Sequence, residues 1–248
     1  VDIFFMLHGK IVLVTGASRG IGRAVAKSLA QHAATVILLS RTVRDLESVY
    51  DEIVQNGHPE PCIHPFNLCT ATATDYDDLR RAIADKYGRL DGLIHNAGML
   101  GALTPLEHFN LHTWYQVLQV NLNSVLLLTQ ACMPLLKLSA RGSIIFTESE
   151  HATVPKANWG AYGVASAARH AMQQMLAAEC ENITNIRVDS VRLNKIRTML
   201  RAEAYPAEDE SHLLEPNEVV DQFISLLERA VDNSTLQRHN KLSTSSNR

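Results

Sequence analysis

Short apolar runs alternate with amphipathic stretches along most of the chain. Ile11–Val14 is apolar without a break, the mark of a strand covered on both faces. A helix is expected over Gly20–His32, where Ile21, Val25 and Leu29 recur at every fourth position. Thr35–Leu39 reads as the second strand, and Val43–Asn56 as a helix closed by Gly57. Cys62–Phe66 is a weaker strand whose Pro65 argues for an edge position or a strand end. The alternation continues with a helix over Asp75–Tyr87 and a strand over Leu90–His95. A long helix over His112–Leu136 follows, broken near Pro134. Then come a strand over Gly142–Thr147, a helix over Trp159–Cys180, a strand over Ile186–Val191 and a helix over Asn217–Val231 capped near Pro216.

Strand–helix–strand alternation predicts parallel pairing, and right-handed crossovers then force a doubly wound sheet. The expectation is an α/β, single-domain, Rossmann-type sheet flanked by helices in three layers, with ligands at the carboxyl ends of the strands. This domain spans residues 1–232. Residues 233–248 are polar, rich in Ser, Asn and basic side chains, and read as a frayed tail.

At 248 residues and 46% hydrophobic content the chain can bury one large core. A formal charge of −3 offers no global field for nucleic acid or an anionic membrane, so neither is expected as a partner. No stretch approaches the roughly 20 apolar residues of a membrane span. The best candidate, Val117–Leu136, is interrupted by Gln119, Asn121, Asn123 and Gln130. Val1–Leu7 is too short for a signal peptide, and Met6 would serve as an alternative start. Cys62, Cys69, Cys132 and Cys180 have neither CxxC nor metal-ligand spacing. They read as reduced core residues of a cytoplasmic protein, and no metal is expected.

The chemistry begins at Thr15-Gly16-Ala17-Ser18-Arg19-Gly20-Ile21-Gly22, between the first strand and the first helix. Glycines there allow a tight turn and let backbone N–H groups approach a pyrophosphate at a helix N-terminus. The spacing is Gly-x3-Gly-x-Gly, so its weight comes from its placement between strand and helix. The second strand ends in Ser40-Arg41 without the acid that commonly holds a ribose 2′-hydroxyl. Arg19 and Arg41 could instead converge on a 2′-phosphate, which favours NADP(H) over NAD(H).

These residues resemble the short-chain dehydrogenase/reductase (SDR) family. TGASRGIG at Thr15–Gly22 is similar to its glycine motif, and Asn96-Ala97-Gly98 to its motif after the fourth strand. Asn121 stands where the family has its structural and catalytic asparagine. Ser149 precedes Tyr162 by the family's catalytic spacing. Ala157–Tyr162 and Tyr205-Pro206 resemble the bacterial YciK-like oxidoreductase branch. The resemblance implies hydride transfer between a nicotinamide cofactor and a carbonyl or alcohol, with Tyr162 as general acid/base and Ser149 orienting the substrate oxygen. It further implies cofactor contacts from Gly16, Ser18, Arg19, Gly20, Ile21, Gly22, Arg41, Asn67, Leu68, Asn96, Ala97 and Gly98. It also implies a homodimer or homotetramer through the long helices, with Leu118, Leu122, Val125, Leu126 and Leu135 as apolar material for that contact.

The chain departs from the family at its centre. The lysine expected four residues after the tyrosine is Ser166. In the family that cation lowers the tyrosine pKa and holds the nicotinamide ribose. A phenol left near its ordinary value of about 10 is roughly one part in a thousand ionised at neutral pH, so alcohol oxidation should suffer most. Lys195 and Lys156 are candidates to supply the charge from loops, although surface lysines without such a role are commoner. The family's Pro-Gly turn after the sixth strand is Leu193-Asn194-Lys195, its adenine-contacting aspartate is Asn67, and a glycine before the second strand is Ala33. A seventh strand is hard to find in Ser234–Arg248. Strand alternation places Glu148 and Glu150 opposite Ser149 and keeps them out of the site. Two readings stay open: an NADP(H)-dependent oxidoreductase with an impaired site, or a catalytically inactive scaffold that binds nucleotide or a partner protein. A nucleic-acid or structural module on the same fold is a more distant third.

Overall fold

The structure is a computed structural model that describes residues 7–229. Met6, the polar tail and the sought seventh strand lie outside those residues. Six parallel strands form one sheet in the order β3-β2-β1-β4-β5-β6. They are β1 (Ile11–Thr15), β2 (Thr35–Ser40), β3 (Cys62–Pro65), β4 (Gly92–His95), β5 (Gly142–Ser149) and β6 (Ile186–Leu193). The chain runs outward from β1 to β3, then returns to start β4 on the other side of β1. That reversal opens a crevice at the carboxyl ends of β1 and β4. The expected doubly wound, helix-flanked sheet is the fold observed.

Both faces of the sheet are covered, which explains the unbroken apolar run of β1. Val12 and Val14 face one core with Val25 and Leu29 of α1 (Gly20–Gln31) and Phe223 of α8 (Val220–Glu228). Ile11 and Leu13 face the other core, with Leu79 of α3 (Ala73–Tyr87) and Leu128 and Leu136 of α5 (Ser124–Leu136). Each such fully buried aliphatic side chain contributes about 1.5–3 kcal/mol. β3 is an edge strand and Pro65 is its last residue, so both of the placements that the proline argued for are found. The second helix is α2 (Val43–Gln55). Pro216, expected near the cap, and the first three residues of the predicted last helix form a 3-10 turn, Pro216–Val219, ahead of α8. No helix among the described residues is long and apolar enough to cross a membrane. None of the four cysteines is in a disulfide.

The long helix is interrupted elsewhere than its proline suggested. α4 (Leu111–Leu118) passes into a π turn over Gln119–Asn123, and α5 then runs through Pro134 to Leu136. Pro134 forfeits the bond that its N–H would give to Gln130 O, yet α5 continues two residues beyond it. The π turn is centred on buried Asn121, whose Nδ2 donates to Met99 O at 2.8 Å while its Oδ1 accepts from Met99 N at 2.8 Å. A side chain bound to another segment at both ends explains the extra residue in that turn; π turns of this kind often mark functional sites. Of the five apolar residues expected at a subunit contact, Val125 and Leu135 are used by the core, whereas Leu126 is exposed.

Candidate active site

The crevice is a cavity of about 600 Å³ at the carboxyl ends of the strands. Its floor is the loop between β1 and α1. Gly16 and Gly20 take left-handed φ values of +66° and +55°, conformations that glycine adopts without strain. No side chain caps the N-terminus of α1, so its first amides remain open to an anion. Thr15 ties this loop to the strand beside it. Its Oγ1 donates to Ile94 O at 3.1 Å and accepts from the amides of Asn96 and Ala97 at 2.9 and 3.0 Å. The Asn96 side chain donates to Thr15 O at 3.0 Å. Gly16, Ser18, Arg19, Gly20, Ile21, Arg41, Leu68, Asn96, Ala97 and Gly98 all line the cavity, as do Asn121, Ser149 and Tyr162.

Two predicted contacts are off its wall. Gly22 lies beneath the loop. Asn67 is exposed, and its Oδ1 accepts from Cys69 N at 3.1 Å, which engages the oxygen that was expected to meet adenine. At the outer end, Arg19 and Arg41 are exposed and flank the mouth, with Arg19 Nη1 3.0 Å from Met199 Sδ. Asp45, in the first turn of α2, joins the same wall. The end of β2 carries no acid, and Asp45 reaches this wall from the helix that follows it.

The chemical end is built by β5 and α6 (Gly160–Cys180). Burial pushes the Tyr162 phenol above its ordinary value, against the opposing pull of the Ser149 hydroxyl, the Arg169 charge and the Ser166 hydroxyl. His151 stacks on Trp159 with ring centroids 3.5 Å apart, and Tyr205 stands 5.7 Å from Trp159. Together they wall the cavity beside Tyr162 with aromatic surface, a juxtaposition that sequence spacing did not show. The Thr198–Tyr205 segment, where the family has its substrate lid, contains α7 (Met199–Ala204), and Thr198, Met199, Leu200 and Arg201 reach the cavity. Arg201 is held bidentately by Glu208, both bonds 2.6 Å, and lies over the Tyr205 ring.

The two glutamates depart from expectation. Glu148 is buried with Oε1 2.8 Å from His170 Nδ1, and Glu150 leaves the strand to begin a 3-10 turn. Both still line the cavity, because β5 ends among the loops that close it. Lys156 is 3.1 Å from Glu150 and so is partly neutralised. Lys195 is exposed, with a left-handed φ of +53°.

His95 of β4 is buried, with Nε2 2.8 Å from Thr129 Oγ1. Burial, followed by the Arg169 charge, holds its pKa well below the ordinary imidazole value. The folded protein therefore binds the proton less readily than the unfolded chain. The stability that His95 contributes is complete above about pH 6.5, the unfolded value, and is lost as pH falls toward the folded one. Chemical denaturation at a series of pH values should show this loss, and His95→Gln should flatten it. An equal acid slope in both proteins would refute the assignment.

The sequence profile of short chain dehydrogenases matches residues 10–209. The oxidoreductase YciK of Escherichia coli K12 is 40% identical over 222 residues, which cover 90% of this chain and 87% of YciK. A solved short chain dehydrogenase from Pseudomonas syringae superimposes with a TM-score of 0.89 at 42% identity, covering 93% of this chain and 92% of that one. A Shigella flexneri short chain dehydrogenase, solved complexed with NADP, gives 0.88 at 38% identity, covering 94% and 95%. The chain is a YciK-like oxidoreductase and belongs to the short chain dehydrogenase family.

Proposed function

We propose that this oxidoreductase transfers hydride between NADP(H) and a small carbonyl or alcohol substrate, with Tyr162 as general acid/base. The observation that carries the reading is one cavity lined at one end by the open N-terminus of α1 and at the other by Ser149 and Tyr162. The dinucleotide, when bound, supplies or accepts the hydride. The amides that open α1 would hold its pyrophosphate, and Asn121 braces the strand-four loop through Met99. Ser149 orients the substrate oxygen. In reduction, the Tyr162 hydroxyl gives its proton to that oxygen as hydride reaches the carbon; in oxidation both transfers reverse. The raised phenol pKa keeps Tyr162 protonated at neutral pH, so reduction is the favoured direction.

The preference for NADP(H) rests on Arg19 and Arg41 at the mouth and on the NADP complex of the Shigella flexneri relative. Calorimetric titration should show tighter binding of NADPH than of NADH, and a carbonyl screen with NADPH should then yield turnover. Arg41→Asp should remove most of the preference, since each charge-assisted contact is worth about 1.5–3 kcal/mol. The Asp45 carboxylate opposes the 2′-phosphate, so Asp45→Asn should widen the preference. Equal affinities for the two cofactors in the unmutated protein would overturn the assignment.

A further inference from the structure

Ser166 leaves the helix position four residues after Tyr162 without a cation, yet the site contains a buried one. Arg169 follows Tyr162 by seven residues on α6, two turns along and on the same face. Only 8% of it is exposed. Its guanidinium is drawn to the carboxyl end of β4, where Nη2 donates to His95 O and Nη1 to Ala97 O, the latter at 3.5 Å. It also lies over the Phe146 ring at 5.8 Å. The backbone that presents Asn96-Ala97-Gly98 to the cavity thus holds this cation in place.

We infer that Arg169 takes over the electrostatic duty of the absent lysine, as a positioning residue that sets the ionisation of Tyr162 from one turn further down the helix.

Three features support this. First, Arg169 lines the cavity together with Tyr162 and Ser166. Second, its charge is not cancelled by a direct ion pair: among the described residues no carboxylate is within salt-bridge distance. The acid facing it, Glu148, is engaged by His170 at 2.8 Å and Arg192 at 3.6 Å. Third, burial lowers the arginine to about 10, still well above neutral pH, so the group remains cationic. The other polar groups that bear on the pair are His95 on the β4 side, Ser149 at the end of β5 with His151 just beyond it, and Tyr205 after α7. His151 is held below the ordinary imidazole range by burial and is neutral near pH 7. Arg169 is therefore the cation that acts on Tyr162. Its carbonyl contacts also mean that it does not replace the lysine's second duty, the hold on the nicotinamide ribose.

The inference rests on Tyr162 being the proton donor, and its test reads the phenol directly, without turnover. The Tyr162 midpoint is measured as the ultraviolet difference titration between each protein and its Tyr162→Phe counterpart. Arg169→Gln keeps a donor for the carbonyls but removes the charge, so its midpoint should rise by about one unit or more. Arg169→Lys keeps the charge, so its midpoint should stay nearer the parent's. Arg169→Met, which fills similar volume, serves as the neutral variant should the glutamine protein not fold. A parental midpoint in the neutral variant, or an equal shift in the neutral and lysine variants, would overturn the inference and leave Arg169 a structural brace. A protein that turns over no carbonyl but shows the expected split retains the electrostatic assignment and loses only the proposed reaction.

Discussion

Tyr162→Phe is expected to slow carbonyl reduction by roughly 10²–10⁴-fold, the usual contribution of a positioned general acid, with dinucleotide affinity unchanged. The phenol and the Ser149 hydroxyl face the same end of the cavity. The neighbouring imidazole is a poor substitute as acid, because burial lowers the His151 pKa and leaves it neutral near pH 7. Removing one oxygen leaves the ring among His151, Trp159 and Ser149, so little packing changes. Steady-state rates with NADPH, paired with calorimetric titration of the cofactor, separate loss of chemistry from loss of binding. A phenylalanine variant as fast as its parent would remove Tyr162 from the mechanism and return the protein to the scaffold reading.

Gly22→Ala should abolish dinucleotide binding and lower stability by about 1–3 kcal/mol, the typical cost of forcing a methyl group into a filled site. The cause is space and not backbone conformation. A Cβ at Gly22 would lie 2.2 Å from Gly16 O and 2.5 Å from Asn96 Nδ2. Neither neighbour can withdraw cheaply. Gly16 O belongs to the phosphate loop itself, and Asn96 Nδ2 donates to Thr15 O at 3.0 Å. Relief would therefore deform the turn that must receive the pyrophosphate. Gly163→Ala is the useful comparison, because its Cβ would meet only Trp159 Cβ at 3.3 Å and the exchange gains up to about 1 kcal/mol of helix propensity. Thermal melts and NADPH titrations of both variants test this. Unchanged cofactor binding in Gly22→Ala would show that the loop accommodates the methyl group.

Patterns contained within one element were legible from the sequence. The unbroken run of β1 announced a strand buried on both faces, Pro65 an edge position or a strand end, and the glycines of Thr15–Gly22 a tight turn into a helix N-terminus. The thirteen-residue step from Ser149 to Tyr162 identified two side chains that line one cavity. The first three follow from local geometry, since a strand alternates by two and a glycine turn needs only its own φ angles; the pairing of Ser149 with Tyr162 came from the family resemblance.

What meets across elements was decided by packing. Asn121 distorts its helix because Met99, on a separate loop, takes both ends of its amide. Asp45 joins the wall beside Arg41 because α2 starts just beyond the carboxyl end of β2. Arg169 was audible in the sequence only as a residue two turns from Tyr162. Nothing in its neighbours tells whether such an arginine reaches water or turns inward, since its long stem allows either. The carbonyls of His95 and Ala97, brought beside α6 by the order of strands in the sheet, settle the matter: a buried acceptor left unpaired costs about 1–3 kcal/mol, and the guanidinium is the donor that reaches them.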